Sequence, residues 1–210
     1  MTKKTFNLRL LSSLILFVLA SYLVLYDQYI FNLFLIILLL ISIFEWIKFN
    51  INILLTFFGF FFLLISFYVI FIFKNFDTPL SNFYFILTLI ICISSDVGGY
   101  ITGNIIGGPK LTKISPNKTY SGVFGAFILS IISSYVYVYY FKLENILLNN
   151  FILLVLIISL TSQIGDLIIS YFKRLAKIKD TGNLIPGHGG VLDRIDGMLF
   201  ALPFTFLFII

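Results

Sequence analysis

Asp166, Asp193 and Asp196 are the carboxylates of this 210-residue chain whose company suggests chemistry. Asp166 closes the run Thr161-Ser162-Gln163-Ile164-Gly165-Asp166, with Ser170, Lys173 and Arg174 following it. At helical spacing Ser162, Asp166 and Ser170 share a face, and Asp193 and Asp196 can share another. Carboxylates brought together from two helix ends suit Mg²⁺, which takes one or two of them and completes its shell with phosphate oxygens and water. A plainer arrangement is equally open. Asp166 would then pair with Lys173, and Asp193 and Asp196 would be acidic residues favoured by the dipole at a helix start.

The loop before Asp193 carries Pro186-Gly187-His188-Gly189-Gly190. Glycines there permit positive φ and let backbone N–H groups approach an anion, although a simple turn would read the same way. His188 suits phosphate donation or proton transfer, or a structural hydrogen bond. An earlier polar set runs from Ser94-Ser95-Asp96 through Gly98, Gly99, Gly103, Gly107 and Gly108 to Lys110, Lys113 and Ser115-Pro116-Asn117-Lys118-Thr119. Its lysines can hold phosphates as point charges, or attract anionic lipid and fix topology. The Walker A pattern is absent, so ATP hydrolysis is not expected.

The elements that must position these residues are membrane helices. The chain is 60% hydrophobic and 11% charged, with a mean hydropathy of +1.08, against about 45–50% apolar in a soluble domain. Its 26 Phe and 12 Tyr are scattered through apolar runs. Cys92 has no partner for a disulfide. Spans of about 17–25 residues are needed to cross the hydrocarbon core, and seven are expected, near 10–26, 29–47, 51–73, 83–101, 122–141, 148–169 and 191–210. The fold class is therefore all-α polytopic. Residues 1–80 would be N-terminal transmembrane helices, and 81–210 a catalytic transmembrane core with cytoplasmic loops 102–121 and 170–192. With the N-terminus in the cytoplasm, twelve of the fourteen Lys and Arg face that side, leaving only Lys74 and Lys142 outside. Both polar loops then meet cytoplasmic nucleotides. A retained first span is expected in place of a cleaved signal, and compactness without a transit peptide points to a bacterial inner membrane.

The stretch Ser170–Asp196 closely resembles the C-terminal signature of the phosphatidate cytidylyltransferases, also called CDP-diacylglycerol synthases. The matching residues are Ser170, Phe172, Lys173-Arg174, Lys179-Asp180, Gly182, Ile185, Pro186, His188-Gly189-Gly190, Val191, Asp193-Arg194, Ile195 and Asp196. Gly165-Asp166-Leu167, the segment containing Asp96, Gly98, Tyr100 and Gly103, Ser115-Pro116-Asn117-Lys118-Thr119 and Glu45-Trp46 are similar to the family as well. Two positions depart from it: Ile169 and Ser121 stand where an acidic residue and Glu or Gln are common. The chain is also shorter than many relatives.

The resemblance implies attack of a phosphatidate phosphate on the α-phosphorus of CTP, giving CDP-diacylglycerol and pyrophosphate in phospholipid biosynthesis. Asp166 and Asp193 would hold Mg²⁺, with Asp196 as a further ligand or a supporting residue. Lys173 and Arg174 would act with the two aspartates. Ser170, His188, Gly189, Gly190, Arg194, Lys118 and Asp96 would bind substrate. Such chemistry is electrostatic and positional, since phosphate is already a competent nucleophile. Partners implied are CTP, phosphatidate in the bilayer and membrane lipids, with no nucleic acid. A role for a monovalent cation such as K⁺ and a homodimer stay open. Alternative readings are another membrane lipid-phosphate nucleotidyl- or phosphotransferase and, less in keeping with polar residues gathered at one face, an ion transporter.

Overall fold

The computed structural model describes residues 28–49, 51–76, 78–112, 114–142, 150–182, 184 and 189–209. Secondary structure among them is helical: α1 Gln28–Ile47, α2 Ile53–Asn75, α3 Pro79–Ile105, α4 Tyr120–Tyr140, α5 Phe151–Leu175, the single turn α6 Leu192–Ile195, and α7 Met198–Ile209. Long Phe, Ile and Leu runs form helices here because lipid offers no partner for a backbone N–H or C=O, so each must be satisfied within its own segment. The first five are 20 to 27 residues long. At 1.5 Å per residue each reaches about 30 Å or more, enough to cross a bilayer.

The span expected at 10–26 lies outside the described residues. Five expected spans coincide with α1 to α5, but the C-terminal one, 191–210, does not form one helix. It is divided at Asp196-Gly197, and α7 has 12 residues with Pro203 inside it, about 18 Å of rise. The polar loops also shrink. α3 runs on to Ile105 and α4 starts at Tyr120, so the loop expected at 102–121 is only 106–119. α5 continues through Leu175, so Ser170, Lys173 and Arg174 are helical residues, contrary to the loop expected at 170–192. The cause is a Schellman-type stop: Ile178 N–H reaches Lys173 C=O at 3.0 Å and Lys177 N–H reaches Arg174 C=O at 3.0 Å. Lys177 takes the left-handed position with φ 56°, which glycine more often fills and which hides the stop from a residue-type reading.

The chain divides into two compact units. The first holds the described residues up to Phe71 together with Phe172–Ile195; the second holds Ile72–Tyr171 and the residues from Asp196 onward. Trp46 anchors the first. Its indole N–H donates to Thr56 C=O at 3.1 Å, and its ring meets Phe172 edge-on at 5.1 Å and Phe49 at 4.9 Å. Gly59 faces that ring, where a Cβ would overlap it.

In the second unit α3 and α4 approach through glycines. A Cβ on Gly98 would come within 2.9 Å of Leu129 Cβ, and one on Gly122 within 2.9 Å of Gly99 O. Lipid supplies no hydrophobic drive between helices, so small residues and interhelical hydrogen bonds must hold them. Ser159 to Ser95 at 3.0 Å, Ser133 to Ser94 at 2.9 Å and Thr88 to Thr205 at 3.1 Å are such bonds. They join α5 to α3, α4 to α3, and α3 to α7.

Candidate active site

In the first unit the stop of α5 delivers Lys173 to Asp193 on α6. Nζ lies 2.7 Å from Oδ1, and the two side chains are 10% and 6% exposed. The other oxygen, Oδ2, accepts from Thr181 N–H at 2.8 Å and Gly190 N–H at 3.0 Å, with Thr181 Oγ1 3.0 Å away. Thr181 also donates from Oγ1 toward Glu45 Oε2 at 2.8 Å, so the hydroxyl lies between two carboxylates. Glu45, near the end of α1 and 1% exposed, accepts from Val191 N–H at 2.9 Å and Leu192 N–H at 2.8 Å.

Of the glycines read as an anion cradle, Gly190 gives its N–H to the chain's own Asp193, and Gly187 lies outside the described residues. The Gly190, Val191 and Leu192 amides face Asp193 and Glu45. Gly190 is needed because a Cβ there would overlap Thr181 Oγ1 and lie 2.6 Å from Glu45 Oε2. Gly189 has φ +87°, and its Cβ would lie 2.9 Å from Asp193 Oδ2. Arg174 is exposed and donates to Ile178 C=O at 3.1 Å, and Arg194 is exposed on α6. His188 lies outside the described residues.

The second unit carries the other centre. Lys118 forms an ion pair with Asp166 Oδ2, the side chains being 27% and 30% exposed. Ser170 Oγ donates to Asp166 Oδ1 at 3.3 Å, so the 166/170 face of α5 forms as its spacing predicts. Lys118 is placed by a closed loop: Leu111 N–H to Lys118 C=O at 2.8 Å, Tyr120 N–H to Pro109 C=O at 3.2 Å, and a turn in which Lys118 N–H reaches Ser115 C=O at 3.1 Å. Thr119 then caps α4, accepting from Gly122 N–H at 3.1 Å. Ser121 donates to the Gly107 carbonyl and lies 2.9 Å from Thr119 Oγ1, so this departure from the family pattern serves the loop itself. Ile169, the other departure, is 2% exposed and belongs to the core.

Asp166 therefore pairs with Lys118, and Lys173 with Asp193, which replaces the Asp166–Lys173 pairing that the spacing also allowed. Asp196 does not share a helical face with Asp193, because α6 ends at Ile195. It sits 7% exposed in the turn before α7, bonded to Gly197 N–H at 2.8 Å. Asp96 is exposed on α3. Glu45 and Thr181 were not among the expected site residues. For Glu45 the signal was available, since a lone carboxylate in an apolar span marks function by its cost.

Oxygen donors with nearby hydroxyls suit a hard ion such as Mg²⁺. Among the described residues no cluster of three or more His, Cys, Asp or Glu forms a cage. Asp166, open and already beside one cation, fits directly. Asp193 would meet an ion at Oδ1, which also pairs with Lys173, since Oδ2 accepts from two backbone N–H groups.

Fold and site together define a multi-pass helical membrane protein with two carboxylate–lysine centres, each suited to cations and phosphorylated ligands. The chain belongs to the cytidylyltransferase family: residues 51–210 match the family described as "Cytidylyltransferase family". It is 42% identical over 138 residues to a phosphatidate cytidylyltransferase of Rickettsia bellii, covering 62% of this chain and 59% of the relative. It is 40% identical over 121 residues to one of Staphylococcus saprophyticus, and 42% identical over 122 residues to one of Staphylococcus epidermidis. Each of these two alignments covers 57% of this chain and 46% of the relative. The chain thus spans about half the length of the curated relatives it matches.

Proposed function

We propose that the chain transfers the cytidylyl group of CTP to phosphatidate, forming CDP-diacylglycerol and releasing pyrophosphate for phospholipid biosynthesis. The observation that carries this reading is the pair of carboxylate–lysine centres in a chain similar to relatives named phosphatidate cytidylyltransferase. In the reaction a phosphatidate oxygen forms a bond to the α-phosphorus of CTP, and the bond from that phosphorus to the bridging oxygen breaks. Pyrophosphate leaves with the electron pair. Because the nucleophile is already an anion, what the site must supply is relief of repulsion and alignment.

Asp166, assisted by Ser170, and separately Asp193 through Oδ1, are the residues that would each hold Mg²⁺. When bound, that ion neutralises charge on triphosphate oxygens. Lys118 and Arg174 contribute positive charge to phosphate oxygens, Arg194 and His188 to the remaining anionic groups, with Asp96 a weaker contributor. Lys173 holds Asp193 in place and balances its charge. Asp196, buried and bonded to the Gly197 amide, supports the turn before α7, and its part toward the ion is supporting.

Orientation belongs to the same reading. With seven spans and a cytoplasmic N-terminus, twelve of the fourteen basic residues lie on the nucleotide-bearing side. The bilayer is then a bacterial inner membrane. Incubating the purified protein with labelled CTP, Mg²⁺ and a panel of lipid phosphates tests the assignment. Label should enter CDP-diacylglycerol with phosphatidate. Label entering only a polyprenyl-phosphate product would move the chain to another lipid-phosphate transferase, and no lipid product at all would leave the transporter reading.

A further inference from the structure

We propose that Glu45 is a positioning residue for the reaction, holding residues 181 and 190–193 so that Asp193 keeps Oδ1 in a fixed direction beside Lys173. The inference deepens the cytidylyl-transfer reading and rests on it. It starts from a cost. A carboxylate 1% exposed near the end of a membrane helix is retained only when donors surround it. Glu45 has three: Val191 N–H, Leu192 N–H and the Thr181 hydroxyl, at 2.8 to 2.9 Å. All belong to the signature loop, 136 to 147 residues further along the chain.

The same Thr181 donates its N–H to Asp193 Oδ2 and keeps its hydroxyl 3.0 Å from that oxygen. Gly190, whose Cβ would strike both Thr181 and Glu45, donates a second N–H bond to Oδ2. Glu45 therefore reaches Asp193 through Thr181 and through the backbone that carries Gly190. With Oδ2 saturated and the loop pinned, Oδ1 keeps a fixed direction beside Lys173. Supporting hydrogen bonds of this kind orient a metal-binding carboxylate, and losing one typically costs about 10–100-fold in metal affinity or activity.

Glu45→Gln is the sharpest variant, since it keeps the shape. Whichever way its amide turns, its NH₂ faces the N–H of Val191 or Leu192, leaving a buried donor unmatched. Thr181→Val and Thr181→Ser form a second pair: the first removes the bridging hydroxyl and the second restores it. Two readouts are made on the full chain in detergent, namely amide hydrogen exchange and the Mg²⁺ dependence of CDP-diacylglycerol formation.

In Glu45→Gln and Thr181→Val, the amides of residues 181 and 190–193 should lose protection while α4 keeps its own. The Mg²⁺ concentration for half-maximal rate should rise about 10–100-fold with the KM for phosphatidate unchanged, and Thr181→Ser should behave as wild type. The proposal is overturned if both variants keep wild-type loop protection and Mg²⁺ dependence. Loss of protection across α4 as well, or a lower rate at unchanged Mg²⁺ dependence, also overturns it by making Glu45 a general packing residue. Should the wild-type protein make no CDP-diacylglycerol, the cytidylyl reading fails by itself and the exchange comparison alone decides Glu45.

Discussion

Asp193 and Asp166 are the same residue type, each beside one lysine, yet their surroundings assign them different work. Asp193 is 6% exposed, accepts from two backbone N–H groups on one oxygen and meets Lys173 on the other. Asp166 is 30% exposed and has Lys118 and Ser170 as its partners. A buried ion pair is costly to assemble and more costly to break, because removing one partner strands the other's charge. An open pair is weak in stability and available to ligands. One aspartate is thus enclosed by its own chain, and the other is the more accessible.

Truncating each lysine tests that contrast. Lys173→Ala strands the Asp193 carboxylate in a nearly closed site and should destabilise the protein by about 3–5 kcal/mol, read as a large drop in the melting temperature in detergent. Lys118→Ala removes the partner of an exposed carboxylate and should change stability by only about 0–1 kcal/mol, while the rate of CTP-dependent lipid conversion falls. Equal thermal losses in the two variants would erase the distinction between the centres.

The sequence made one of these centres far more legible than the other. Ser162, Asp166 and Ser170 announce a shared helical face through spacing alone, and α5 presents them that way. Lys118 as the partner of Asp166 was not readable, because it arrives through a loop closed by backbone hydrogen bonds, which carry no residue-type signal. Around Asp193 the motif named the important residues but misplaced their partners. The glycines of the signature suggested N–H groups turned toward a substrate anion, whereas those N–H groups meet Glu45 and Asp193. Only the fold could bring in a carboxylate from a helix well over a hundred residues away. The continuation of α5 to Leu175 was hidden for a local reason: its stop uses Lys177 in a conformation usually given to glycine. The division of the last apolar run at Asp196-Gly197 was hidden too, because hydropathy does not register a turn inside a greasy segment.

Glu45 extends the comparison. If the first centre is built to hold one aspartate still, its strongest support should lie in the residue that pins the loop, and the second centre needs no such residue. Lys118 meets Asp166 directly, without an intervening buried carboxylate among the contacts that place the loop.

Asp166→Asn is the most direct test of the central claim, that the open centre takes part in the reaction without holding the fold. CDP-diacylglycerol formation from labelled CTP and phosphatidate in Mg²⁺ should be abolished, with the melting temperature in detergent close to wild type. Near-normal turnover in Asp166→Asn would contradict the account.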